Sequence, residues 1–208
     1  VPPSRAGGSR SDNFITGGLT LEPVNWGIIS ASGFTLKRSG PAFMLGKNVN
    51  VTAVGSRDLA KAEAFAKALG IPKAYGSYQA ILDDPDIEAV YIPLPNHLHV
   101  EWSTKAAEAG KHVLCEKPIA MTAAEAEQLI PVQARTGKMI QEAYMVLTNP
   151  QLIRARELVR EGRIGELRTI QGAISWTNTD PNDVRNKLEI GGGITYDGGG
   201  YAITTTRF

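Results

Sequence analysis

Lys117 stands in Glu116-Lys117-Pro118, directly after the apolar run His112-Val113-Leu114-Cys115, while Asp197 and Tyr201 stand four apart around three glycines. An ammonium, a carboxylate and a phenol brought to one place can hold and polarise an oxygen-bearing ligand. The charged pair Glu116-Lys117 ends an apolar strand, and in an open parallel sheet the carboxyl ends of strands border the ligand crevice. Asp197 and Tyr201, at a spacing of four, share one face of a helix and can aim at one small ligand. Before them Gly191-Gly192-Gly193 permits close backbone approach to cofactor or substrate, and Arg185 is a further candidate contact. The bland alternative for this stretch is a glycine-softened core helix. Each of Gly198 to Gly200 costs about 1 kcal/mol relative to Ala there, so some local gain must offset it.

These residues need a scaffold, and the rest of the chain reads as one. Apolar, β-branched runs at residues 25–30, 49–56, 71–75, 89–92, 112–115 and 139–144 alternate with helical patterns at 59–69, 78–83, 98–109 and from 122 onward. The rhythm carries no hairpin signal, which predicts an α/β fold with a doubly wound parallel sheet. Asp58 or Ser56 is expected to cap the 59–69 helix, Asn96 the 98–109 helix, and Thr122 with Glu125 forms a capping box. An amphipathic helix at 151–161 and an alternating strand at 167–176 open a second, α+β unit. One face of that strand carries Ile170, Ile174 and Trp176 and needs a covering partner. The expected division is an N-terminal arm over 1–23, a dinucleotide-binding domain over 24–145, and an incomplete substrate or oligomerisation domain over 146–208.

The first strand leads into Ala31-Ser32-Gly33-Phe34-Thr35, where a dinucleotide fold lays pyrophosphate against a helix N-terminus. A G-x-G-x-x-G pattern here would fall on Ser30, Ser32 and Thr35, so the glycines have been replaced. Serine is small and its hydroxyl can bond a phosphate, which keeps Ser30, Ser32, Gly33 and Phe34 as cofactor candidates beside the reading of an ordinary tight turn. At the end of the second strand Ser56 and Arg57 stand where an NAD site would place an acidic residue. A hydroxyl and a guanidinium suit a 2′-phosphate, which favours NADP with NAD as the alternative. Pro95, Asn96 and His99 are expected to line the crevice with Glu116 and Lys117. No carboxylate or Cys stands at ligand spacing from His97 and His99, so no metal site is read there.

With 208 residues, 42% hydrophobic and 21% charged, the composition is that of a globular protein. A net charge of +1 leaves no electrostatic footprint for nucleic acid or an acidic membrane. No apolar run approaches a membrane span or a signal-peptide core. The expected partners are therefore small molecules or sister subunits, and the expected location is cytoplasmic, or periplasmic if the arm is the stub of an exported precursor. The single cysteine, Cys115, reads as a buried, inert thiol.

The segment Ala109 to Pro118, with Pro95-Asn96 before it and Gly191 to Tyr201 behind it, resembles the glucose-fructose oxidoreductase / inositol dehydrogenase (Gfo/Idh/MocA) family. The resemblance runs from about Val24 to Phe208. It implies an NAD(P)-dependent oxidoreductase acting on a sugar, polyol or related diol, and a homo-oligomer where the second domain is complete. Some relatives carry a Pro-rich arm that wraps a neighbouring subunit, an alternative to disorder for residues 1–23. Tyr201 then matches the position that exchanges a proton with the substrate oxygen, Lys117 is expected to lower the Tyr201 pKa and polarise that oxygen, and Asp197 to orient substrate or lysine. The family commonly carries an Arg and a His ahead of Pro150, where this chain has Leu147, Thr148 and Asn149. That departure, with the altered glycine loop, keeps open a second reading, a non-catalytic nucleotide-binding protein or truncated remnant.

Overall fold

The computed structural model describes residues 22–208; all but the last two residues of the expected arm lie outside them. Six strands, β1 (Val24–Ile29), β2 (Val49–Gly55), β3 (Lys73–Tyr75), β4 (Ala89–Ile92), β5 (His112–Glu116) and β6 (Ile140–Ala143), form one parallel sheet. Their order is β3-β2-β1-β4-β5-β6. The chain reverses its direction of winding between β1 and β4, which opens a crevice at their carboxyl ends.

Burial explains the strands' composition. Consecutive residues of β4 face opposite sides, so Val90 and Ile92 enter one core with Ile29, Val113 and Cys115, while Tyr91 enters the other with Ile28 and Val54. Helices cover both faces, and a strand buried twice must be apolar throughout. On the first side lie α3 (Tyr78–Asp83), α4 (His99–Glu108) and α6 (Leu129–Thr136), through Ile81, Ala106 and Val132; on the second lie α1 (Gly40–Met44) and α2 (Leu59–Leu69), through Phe43 and Phe65.

Local chemistry sets the helix ends. Asp58 accepts the Lys61 N–H at 3.2 Å to begin α2, which stops at Gly70 with φ +72°. Ser77 caps α3 by accepting the Ala80 N–H at 3.1 Å. Thr122 accepts the Glu125 N–H to begin α5 (Ala123–Glu127), and the Glu125 carboxylate reaches back to the Met121 N–H. The expected Asn96 cap is corrected. The turn Asn96–Leu98 is a short 3-10 helix, α4 has no side-chain cap, and Asn96 is spent elsewhere.

After β6, α7 (Pro150–Arg160) forms with Asn149 as its cap. The strand expected over 167–176 is not present: these residues have no regular secondary structure. Alternation makes a strand only when a neighbour takes up its N–H and C=O groups, and no described strand pairs with this segment. Ile170, Ile174 and Trp176 remain 40–45% exposed. The chain then returns to the sheet through a π turn, Thr195–Gly199, and α8 (Gly200–Arg207).

Candidate active site

A cleft of about 970 Å³ lies over the carboxyl ends of the strands. Ser30, Ser32, Gly33 and Phe34 come to it from the loop after β1, Arg57 from the end of β2, Pro95 and Asn96 from the end of β4, and Glu116 and Lys117 from the end of β5. Arg185, Asp197 and Tyr201 close the opposite wall. Twelve of the sequence-nominated residues thus share one cavity, although they come from five separate parts of the chain.

Two nominated residues do not line it. His99 is fully buried: Nδ1 lies 2.6 Å from Pro118 O and Nε2 2.8 Å from Leu94 O. It holds the loops after β4 and β5 together instead of touching a ligand. Burial pulls its ring below the ordinary pKa, opposed by the contacts to the Pro118 and Leu94 carbonyls. Ser56 is also buried, and its Oγ accepts the Asp58 N–H at 3.2 Å, fixing the turn into α2. The periodicity of a crevice-lining loop does not distinguish a side chain aimed outward from one folded under it.

In the loop after β1, Ser32 Oγ accepts the Thr35 N–H at 3.1 Å and lies 2.7 Å from Thr35 Oγ1. Thr35 is itself fully buried. Ser30 holds φ at +136°, a conformation that glycine adopts freely and serine does not. The backbone therefore keeps the shape of a glycine loop after the glycine has gone.

Lys117 is the centre of the charged group. Its Nζ donates to Asp197 O at 2.8 Å, stands 3.9 Å from the Asp197 carboxylate and lies 5.4 Å from the Tyr201 ring centroid. Both side chains of the pair are largely buried. Burial lowers the lysine pKa, countered first by Asp197 and then by Glu116; burial raises that of Asp197, countered by Lys117, Arg185 and, least, the Asn96 amide. Desolvation thus pushes both groups toward neutrality while their mutual attraction holds the charges. Asp197 Oδ2 is buried without a hydrogen-bond partner, an unsatisfied acceptor held inside the wall of the cleft.

Tyr201 departs from expectation. Its phenol pKa is raised, by burial first and then by Glu116, Tyr144 and Asp197. The Lys117 ammonium, 5.4 Å from the ring centroid, is not among the groups that shift it. The glycines around it have local reasons. A Cβ on Gly200 would meet the end of the Tyr144 side chain, and one on Gly198 would meet Trp176 and Ile194 at 2.9 Å. The triple glycine is likewise packed against protein: Asn96 Nδ2 donates to Gly191 O at 2.7 Å, and Gly192 is surrounded by the carbonyls of Val184, Arg185 and Lys187. Missed by the sequence reading was Tyr91, whose hydroxyl donates to Glu116 Oε1 at 2.6 Å; only the parity of Tyr91 and Glu116 across paired strands could have shown it.

Comparison with known proteins matches residues 24–144 to an oxidoreductase family with an NAD-binding Rossmann fold, and residues 152–208 to the GFO/IDH/MocA C-terminal domain. The chain belongs to the GFO/IDH/MocA oxidoreductase family. It is 39% identical over 183 residues to a D-xylose 1-dehydrogenase (NADP(+)) of Haloferax volcanii, covering 88% of this chain and 56% of that protein. It is 38% identical over 186 residues to a dTDP-3,4-didehydro-2,6-dideoxy-alpha-D-glucose 3-reductase of Saccharopolyspora spinosa, covering 89% and 56%. Among solved structures it matches KijD10, a 3-ketoreductase from Actinomadura kijaniata in complex with NADP and TDP-benzene, with TM-score 0.82 and 34% identity over 86% of this chain and 55% of that one. The chain therefore spans about half the length of the relatives it matches. Among the described residues no helix is long and apolar enough to cross a membrane, and no cluster of ligating side chains suits a metal ion.

Proposed function

We propose that this chain forms the dinucleotide-binding part, residues 24–145, and the first substrate-facing part, residues 146–208, of an NADP-dependent oxidoreductase acting on a hydroxyl or carbonyl carbon of a sugar, polyol or related diol. The observation that carries the reading is the meeting of Lys117, Asp197 and Tyr201 beside a buried carboxylate oxygen that lacks a partner. The relatives' NADP-dependent sugar chemistry supports it.

The residues present fit the cofactor. Gly33 has open space where a Cβ would stand, so backbone at the loop after β1 can be approached closely. Arg57 lines the cleft and makes no ion pair with a described residue, which leaves its guanidinium for a 2′-phosphate. When bound, the nicotinamide supplies or accepts the hydride. The protein then has to position the reacting carbon and handle one proton. Lys117 donates a hydrogen bond to the substrate oxygen and stabilises negative charge developing on it. Asp197 orients Lys117 through its backbone carbonyl and its carboxylate. Tyr201, whose raised pKa keeps it protonated at neutral pH, gives its proton to that oxygen in the reductive direction. Arg185, on the same wall, contacts the outer part of the substrate.

A second reading, a non-catalytic chain with weakened nucleotide binding, is favoured by the Ser32–Thr35 contact, which uses within the loop the hydroxyls and the N–H that would otherwise meet a phosphate. Titrating the chain with NADP, followed by hydride transfer from NADPH to a panel of sugar ketones, separates the two. Binding with no turnover of any ketone in a form carrying the remainder of the relatives' length would reject the catalytic reading.

A further inference from the structure

Tyr91 is almost fully buried and lies outside the cleft, yet it ends in the cleft's chemistry. In β4 it pairs with Leu114 of β5, and Glu116, two residues further on, faces the same side of the sheet. The Tyr91 hydroxyl donates to Glu116 Oε1 at 2.6 Å, and Ser39 Oγ, on the π turn that leads from the phosphate loop into α1, lies 3.1 Å from the same hydroxyl. The other Glu116 oxygen accepts the Lys117 backbone N–H at 3.3 Å. Adjacent in sequence, the Glu116 carboxylate and Lys117 ammonium nevertheless make no ion pair: the lysine reaches Asp197 instead.

We propose that Tyr91 is a positioning residue: its hydroxyl holds the Glu116 carboxylate away from the Lys117 ammonium, so that Lys117 addresses Asp197 and the substrate oxygen. A free carboxylate beside an ammonium in a half-buried cleft would pair with it, and the pair would remove the lysine's donors from the ligand. The phenol suits this duty because it stays protonated. Burial and then the Glu116 charge hold its pKa far above the ordinary value, so it remains a donor at every working pH. Its ring is fixed from the side by Phe43, 4.9 Å away between centroids, and the Ser39 contact ties the same group to the helix that follows the cofactor loop.

The assignment rests on Lys117 being part of the active site, as proposed above, but it can be tested without cofactor or turnover. Tyr91→Phe keeps the ring and its packing and deletes only the hydroxyl. The ε-amine of Lys117, assigned by its loss in Lys117→Met, is titrated by NMR on selectively labelled protein. The charged groups that face it are Asp197, Glu116, Arg185 and Glu142; of these only Glu116 is released by the variant. The expected result is an upward displacement of the Lys117 midpoint in Tyr91→Phe, abolished when Glu116→Gln is added. Ser39→Ala, which leaves the tyrosine-to-carboxylate bond intact, should leave the midpoint in place. An unchanged midpoint in a folded Tyr91→Phe protein overturns the proposal. In the unaltered chain the bond must also appear as a slowly exchanging Tyr91 hydroxyl proton that Glu116→Ala removes. Its absence overturns the proposal even if Tyr91→Phe does not fold. NADP affinity, measured in parallel, separates the outcomes: failure to bind NADP counts against the cofactor reading alone, and an unmoved lysine against Tyr91 alone.

Discussion

Replacing Ser30 by glycine should stabilise the protein and weaken its hold on cofactor at the same time. Ser30 holds φ at +136°, and an L side chain confined to such a region costs about 1–3 kcal/mol. Glycine relieves that strain but adds about 0.4–1 kcal/mol of unfolded-state entropy. The difference is a net stabilisation of roughly 0–2.5 kcal/mol for Ser30→Gly, at most a few degrees in Tm for a chain of this length. Urea or thermal denaturation followed by circular dichroism reads it directly. If serine persists because its hydroxyl bonds a phosphate oxygen, NADP should bind Ser30→Gly more weakly, by about 1.5–3 kcal/mol, the scale of a hydrogen bond to a charged group. A destabilised Ser30→Gly would show that the serine is not strained and would refute the reasoning. A stabilised variant with unchanged NADP affinity would keep the strain argument and remove Ser30 from the cofactor site.

Arg57→Ala should cost NADP about 1.5–3 kcal/mol and leave NAD nearly unchanged; equal losses in calorimetric titrations would exclude a 2′-phosphate role. Tyr201→Phe, in a catalytically competent form, should lower kcat by roughly 10²- to 10⁴-fold with NADP binding retained, and unchanged turnover would place the proton donor elsewhere. Because burial lowers the Lys117 pKa from the ordinary 10.5, its ammonium is present below that lowered pKa and lost above it. Turnover should therefore decline on the alkaline side at a pH below 10.5, and that limb should vanish from the residual activity of Lys117→Met; an identical profile would free the lysine from this role.

The sheet was legible because its strands are buried on both faces, so apolar runs such as Ala89 to Ile92 have one reading wherever they end. Helix starts were legible where a polar cap precedes an apolar period, as at Asp58 and Thr122. The errors share a cause. Asn96, Ser56 and His99 are polar residues in or beside turns, where local pattern cannot tell a cap, a ligand contact and a tertiary bond apart. Their partners, Gly191 O, Asp58 N and the carbonyls of Leu94 and Pro118, include one that is 95 residues away in sequence. Tyr201 carried the right neighbours, but burial first and then Glu116, Tyr144 and Asp197, which spacing alone does not weigh, raise the pKa that Lys117 was expected to lower.

The segment at 167–176 shows the limit from the other side. Its alternation states which residues want to be covered but not what covers them, and a strand's backbone is satisfied only by a neighbour. The wall it contributes to the cleft nevertheless stands, because Gly198 lets Ile174 and Trp176 pack against the π turn that carries Asp197. Trp176 is therefore expected to report on this contact. Gly198→Val would drive its added carbons into Trp176 and Ile194, both 2.9 Å from the new Cβ, costing about 1–3 kcal/mol locally. Displacing the π turn would pull Asp197 O from Lys117 Nζ, now 2.8 Å away, without disturbing the sheet. The expected signature is a red-shifted Trp176 emission, isolated by replacing Trp26 and Trp102 with phenylalanine, with far-ultraviolet dichroism unchanged. If emission is unchanged in a folded Gly198→Val chain, Trp176 does not rest on that glycine, and the wall must be held by other contacts.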